Sequence, residues 1–218
     1  MSVIRSLRAA ACLAAALSIS ISVSAAGTED AVKDLQHEWE VIKYQTPEKL
    51  QEKKFETLAA RARKVSEANL GRAEPLVWEG IILSSWAGTK GGLGALGLVK
   101  QARARYEEAI RIQPDVLDGS AYNSLGVLYY KVPGWPVGFG DDKKAQELLQ
   151  KALSVNPDGI DPNYFYGEYL FEQGKAKEAT AYLERALRAP ARPGRDIADA
   201  GRREEARKLL EEARRKAG

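Results

Sequence analysis

Two alanines seven residues apart, followed five residues later by a proline, occur at Ala102, Ala109 and Pro114 and again at Ala145, Ala152 and Pro157. The pattern returns at Ala179 and Ala186, with Pro190 one residue early. Each set lies in a stretch whose apolar residues recur at helical spacing, and strand-like alternation is nearly absent. Small residues let two helices approach closely, and a proline stops the second helix before the next unit starts. The spacing therefore predicts an all-α chain in which similar helical pairs stack in a row, since one such pair cannot bury its own apolar face.

Upstream of each alanine set stands a segment centred on a glycine, Gly80, Gly126 or Gly167. Around the middle one, Tyr122, Leu125, Gly126 and Tyr129 read Y-x-x-L-G-x-x-Y, followed by Ala145, Leu149, Ala152 and Pro157. The run resembles the tetratricopeptide repeat, a helix–turn–helix unit with an aromatic, Leu-Gly and Tyr on its first helix and Ala, a large apolar residue, Ala and Pro on its second. The resemblance implies an α-solenoid of helical hairpins. On this reading residues 27–72 form an N-terminal helical pair, and residues 73–116, 117–158 and 159–191 form three units. Residues 192–218 form a C-terminal capping helix with Ala206, Leu209, Leu210 and Ala213 turned inward.

The units differ in length. Twelve residues separate Gly167 from Ala179, with Gly174 in the turn, whereas Gly126 to Ala145 spans nineteen and Gly80 to Ala102 twenty-two. The extra residues, VPGWPVGFGDD and GTKGGLGALG, are expected as loops on one edge of the solenoid, and insertions in repeat arrays often carry the binding face. GGLGALG contains G-x-G-x-x-G at Gly92, Gly94 and Gly97, but a dinucleotide-binding turn needs a strand before it and a second strand after it, and here helical pattern stands on both sides.

The N-terminus has its own logic. Arg5 and Arg8 precede an apolar, serine-dotted stretch and the small residues before Ala26, which reads as a secretory signal peptide over residues 1–26 and an address outside the cytoplasm, in the periplasm. Cys12, the only cysteine, lies within it. Beyond it Val32, Leu35, Trp39 and Ile42 form a helical stripe; Thr46, Pro47 and Glu48 read as cap, first residue and acidic first turn of the next helix, and Gly71 as its close.

Catalytic and metal-binding patterns are missing. His37 is the only histidine, so HEWEV cannot supply a two-histidine zinc motif, and neither G-x-S-x-G nor a phosphate loop occurs. No cofactor, metal or catalytic residue is assigned. Asp141 reads as the cap of the helix near Lys143, and Asp161-Pro162 as cap and first residue of the third unit. Most aromatic residues lie between Tyr122 and Phe171. The repeat register places Asn123, Tyr130, Tyr164, Glu168 and Phe171 on the concave face and Trp135 and Phe139 on the second insertion, and these seven are the candidate ligand or partner contacts. The concave places also include Val77 and Ile81, which match an apolar and aromatic target better than an acidic tail.

The expected function is a non-catalytic protein–protein interaction module with partners in the cell envelope, no nucleic acid and no membrane span after signal cleavage. L-G-x-L-Y-Y, the proline-glycine insertion, G-D-D-K-K-A and A-L-x-x-N-P are also similar to the T-component proteins of TRAP transporters. That resemblance implies a solute-binding protein as partner and an apolar ligand handed through the repeats. Two further readings are an envelope enzyme using Asp141, Asp142 and Glu168, and a membrane-surface factor using the basic C-terminal helix.

Overall fold

The computed structural model describes residues 27–218, so the signal-peptide reading of 1–26 lies outside the described residues. Among the described residues there are nine helices and no strand. They are α1 (27–45), α2 (Glu48–Ala68), α3 (Ala73–Lys90), α4 (Gly92–Ile112), α5 (Val116–Lys131), α6 (Asp142–Val155), α7 (Ile160–Glu172), α8 (Ala176–Arg188) and α9 (Asp196–Ala217). The hairpins are α3 with α4, α5 with α6 and α7 with α8, and each odd-numbered helix from α3 onward also touches the next odd one, so α3, α5, α7 and α9 form one layer. Among the described residues no helix is long and apolar enough to cross a membrane.

The alanine and glycine pattern acts within each hairpin. Ala102, Ala109, Ala145, Ala152, Ala179 and Ala186 have no exposed surface. The residue four places after the first alanine of each set is Tyr106, Leu149 or Leu183, and it fills the space left by the glycine opposite. A Cβ on Gly80 would lie 2.8 Å from Tyr106 Cδ1, on Gly126 2.8 Å from Leu149 Cγ, and on Gly167 2.9 Å from Leu183 Cγ. Glycine is therefore required by close approach, one helix's large side chain seating on the other's bare backbone.

The first insertion is a correction to the expected loop. GTKGGLGALG lengthens both helices of its hairpin: α3 runs to Lys90, Gly91 makes the joint at φ +64°, and α4 starts at Gly92. Leu98 and Val99 are buried and Ala95 and Leu96 pack against the core, which outweighs the low helix propensity of the glycines. The second insertion is irregular over 132–141, pinned by Gly140 N–H to the Pro133 carbonyl at 3.0 Å and Asp141 N–H to the Tyr129 carbonyl at 2.8 Å.

Caps divide along similar lines. Asp141 accepts from Lys144 N–H at 3.0 Å and caps α6. We expect Asp141→Ala to cost about 1 kcal/mol in urea unfolding, with no change in the slope against denaturant. Thr46 is not a cap; its hydroxyl donates to the Val41 carbonyl, closing α1, and α2 starts at Glu48. Asp161 is not a cap either, because its carboxylate is taken by two arginines. In α5, Leu117, Asp118 and Gly119 are all left-handed, turning the chain before the regular helix that carries Asn123.

The α1 stripe of Val32, Leu35, Trp39 and Ile42 is buried. On α9, Ala206, Leu210 and Ala213 face inward, and Leu209 is half-buried.

Candidate functional site

A cavity of about 1080 Å³ lies among the odd-numbered helices, with α1 and α9 both contributing to its wall. Its existence depends on contacts between the first and last of these helices. Glu40, 2% exposed, accepts from Ala198 N–H at 3.2 Å and Arg195 Nε at 3.4 Å. Tyr44 donates to Glu205 Oε2 at 3.4 Å, and Lys43 Nζ is 3.7 Å from Glu205 Oε1. Gly201 of α9 backs onto the Tyr44 ring, where a Cβ would meet Cγ at 2.6 Å. These contacts join residues more than 150 positions apart and turn an open concave face into a bounded pocket.

One wall is ionic. Asp161 on α7 accepts from Arg192 Nη1 at 2.6 Å and Arg202 Nε at 2.7 Å. Arg192 continues to Asp199 at 2.7 Å, and Arg202 to Glu205 at 2.6 Å. Burial alone would raise the Asp161 pKa, but the Arg202 and Arg192 guanidiniums overcome it and hold the carboxyl below the usual carboxylate range. Arg202 also stacks over Tyr164 at 4.5 Å and Phe165 at 4.3 Å, and Arg195 over Trp78 at 5.0 Å. Burial and the neighbouring Arg192 pull Arg195 below the usual arginine value. Burial pushes the Tyr164 and Tyr44 hydroxyls up, so both remain protonated donors.

The adjoining part of the wall is aromatic and hydroxylic. Trp39 meets Trp78 edge-on at 5.9 Å and donates from Nε1 to Ser85 Oγ at 2.8 Å. Ser84 Oγ is 3.0 Å from the buried Tyr106 hydroxyl. Ile81 and Val127 supply apolar surface between these groups.

The seven candidate residues fall into two places. Asn123, Tyr164 and Glu168 line the cavity together. Tyr130 stands behind them, half-buried, donating to Glu168 Oε2 at 2.5 Å, and so holds that carboxylate instead of facing the space. Phe171 is half-buried beneath Lys216, whose Nζ lies 4.2 Å from the ring centroid. Trp135 is 90% exposed on the second insertion. Phe139 meets Tyr129 edge-on at 5.5 Å, with the Arg103 guanidinium 5.0 Å from its ring, and thereby fastens the insertion to α4. That insertion rims a second, shallower pocket of about 350 Å³ with Lys100 and Arg103.

Three expectations change. The second insertion does not reach the large cavity and the first gives it only Gly88 and Thr89, so the insertions carry little of its wall, which comes mainly from α1, the odd-numbered helices and the 189–195 connection. Its lining is as much ionic as aromatic. Val77 is fully buried, and its neighbour Trp78 reaches the cavity in its place, since the helix face is turned by one residue. The residues that sequence reasoning missed, Glu40, Trp78, Arg195 and Arg202, had one local signal: Glu40 sits inside the apolar stripe of α1, where a charge requires a buried partner.

The carboxylates of the enzyme reading are not gathered. Asp141 caps α6 and Asp142 is exposed, while Glu168 lies in the cavity hydrogen-bonded by two tyrosines. Among the described residues no three His, Cys, Asp or Glu side chains converge as a ligand set. His37 lies at the surface, its Nδ1 3.1 Å from Glu40 Oε1.

A family profile described as tetratricopeptide repeat matches residues 138–193. A comparison with curated proteins finds no match. Among solved structures, the chain is similar to a thermophilic TPR protein of Thermus thermophilus, at 22% identity and a TM-score of 0.50, covering 75% of this chain and 84% of that one. The likeness is one of fold.

Proposed function

We propose that this chain, in which a tetratricopeptide-repeat profile matches residues 138–193, acts outside the cytoplasm as a non-catalytic protein–protein interaction module, with its partner in the cell envelope. The observation that carries this reading is Trp135, nine-tenths exposed at the tip of an insertion whose backbone is pinned at its base. Val137 beside it is 55% exposed, and Leu93, next to the α3–α4 joint, is 83% exposed. A rigidly presented tryptophan on a repeat scaffold is a strong anchor for a partner's pocket, because little side-chain entropy is lost when it docks. The export signal read from residues 1–26 supports the address.

The test is a cross-linking capture from the envelope fraction with the intact chain and with Trp135→Ala. The variant should unfold within about 0.5 kcal/mol of the parent, as an exposed side chain contributes little to stability, yet lose the captured partner. Equal capture by both chains overturns the reading. Phe139→Ala is a poor substitute, since it releases the insertion from Tyr129 and Arg103.

A second reading has its own support in the large cavity. A T-component-like accessory of a TRAP transporter would need internal space for a ligand and a solute-binding protein as partner. Capture of a solute-binding protein in the same experiment would favour it.

A further inference from the structure

The shallower pocket between the second insertion and α4 shares no lining residue with the large cavity. Ala104, Pro136, Val137 and Phe139 give it an apolar floor, and Lys100, Arg103 and Glu107 a charged side. Its volume of about 350 Å³ is at the small end for ligand pockets and leaves room for one or two side chains of a partner. The chain itself sets the shape of this groove. Phe139 is fixed against Tyr129 and beside the Arg103 guanidinium, and Gly138 N–H donates to the Gly134 carbonyl at 3.0 Å. A Cβ on Gly138 would run into the Pro133 carbonyl, and one on Gly140 into the Val132 carbonyl, so the insertion folds tightly on its own backbone. A partner docking there meets a surface that is already ordered.

The charges beside the floor are unbalanced. Lys100 and Arg103 stand one helical turn apart on α4, and among the described residues Glu107 is the one carboxylate lining the groove. Glu107 accepts from Arg103 Nε at 2.7 Å. The Arg103 side chain is 36% exposed, and its Nη groups have no hydrogen-bond partner among the described residues. Lys100 is exposed and has no ion-pair partner among them. The Arg103 guanidinium lies 5.4 Å from the Tyr129 ring and 5.0 Å from the Phe139 ring, which fixes the direction of its free donors. Like charges one turn apart on a helix disfavour each other, and an incoming carboxylate relieves both at once.

We propose that this groove is the docking site for an acidic segment of a partner protein, which lays an apolar side chain on the floor of Ala104, Val137 and Phe139 and presents an aspartate or glutamate side chain to Lys100 and Arg103. The proposal rests on the interaction-module reading and gives the partner a chemistry. Trp135 adjoins the rim residue Pro136, so the segment that fills the groove lies beside the partner's contact with Trp135.

The experiment titrates the full chain with the capped peptide acetyl-Ala-Glu-Leu-Ala-amide and with its Gln and Lys analogues at the glutamate, following backbone and indole N–H shifts by NMR. The glutamate peptide should saturate and shift residues 100–107 and 135–139, with the Gln analogue about fivefold weaker and the Lys analogue about tenfold weaker or worse. Its advantage should shrink as salt is raised. Lys100→Glu, at an exposed position, should leave thermal unfolding unchanged and narrow the preference for Glu over Lys about tenfold. Ala104→Leu fills the floor without altering charge and should abolish saturation; it carries the test if Lys100→Glu disturbs α4. Equal binding of the three peptides, unchanged binding in either variant, or shifts confined to the large cavity overturns the proposal. So does binding to phosphatidylglycerol vesicles that Lys100→Glu removes, with no peptide saturating, which assigns the surface to lipid. Envelope capture separates this proposal from the reading beneath it, and loss in both Trp135→Ala and Lys100→Glu is the expected result. Capture lost in Trp135→Ala but kept in Lys100→Glu overturns the groove and leaves the module reading standing, whereas capture kept in both overturns both.

Discussion

Asp161→Ala should be the most damaging single substitution in the cavity, costing about 3 kcal/mol in urea unfolding. Removing one partner of a buried ion pair typically costs about 3–5 kcal/mol, and the low end applies because Asp161 keeps 28% exposure. The loss follows from what remains: Arg192 and Arg202, with 33% and 9% exposure, would each lose a carboxylate at their centre. Arg202 cannot swing into water, because Tyr164 and Phe165 lie against its guanidinium. Asp161→Asn keeps the volume and one acceptor and should lose less. A cost below about 1 kcal/mol for the alanine variant would show that solvent and the carboxylates the arginines already hold, Glu205 and Asp199, suffice to compensate them. The same carboxylate sets an acid limit. Its pKa lies below that of an unfolded chain, near 3.9, so its stabilising contribution is complete above that value and lost as pH falls through the lower folded pKa. The parent should therefore lose stability below about pH 4 more steeply than Asp161→Asn, whose position does not titrate.

Gly80→Ala should destabilise by about 1–3 kcal/mol, the range for overfilling a packed site, although alanine is the better helix former by about 1 kcal/mol. The new methyl would enter the Tyr106 ring, which is 1% exposed and tied through its hydroxyl to Ser84 at 3.0 Å. Gly97→Ala in α4 is the matched control. It is exposed, helical and has nothing within 4 Å of an added methyl, so propensity alone should act and raise stability by up to about 1 kcal/mol. Thermal unfolding of the two variants separates packing from propensity, and a neutral or stabilising Gly80→Ala would mean that Tyr106 relaxes at little cost.

The hairpins were legible from the chain because their signals are local. Ala102 and Tyr106, Ala145 and Leu149, and Ala179 and Leu183 are each four residues apart on one helix face, and the glycine each pair meets lies on the preceding helix. The site was legible only in part. Asn123, Tyr164 and Glu168 were placed on the concave face by repeat register, and they line the cavity. Tyr130 and Phe171 share that register, but one holds Glu168 and the other lies under Lys216, since neighbouring side chains and not spacing decide what a half-buried ring faces. The glycine-rich insertion read as a loop because glycine lowers helix propensity, and it is helical because Leu96, Leu98 and Val99 find a core to pack on.

Helical periodicity, the paired small residues and the repeat that follows from them are properties of short stretches, and the amino-acid order was enough to establish them. The closure of α1 onto α9 is of another kind. Glu40 and Ala198 meet across 158 positions, and Tyr44 and Glu205 across 161. Neither partner carries a local mark of the other, because the geometry that brings them together is the accumulated rotation of every hairpin between them. That accumulated curvature, not any motif, turns a concave face into a bounded cavity and places Trp78 and Asn123 in its wall.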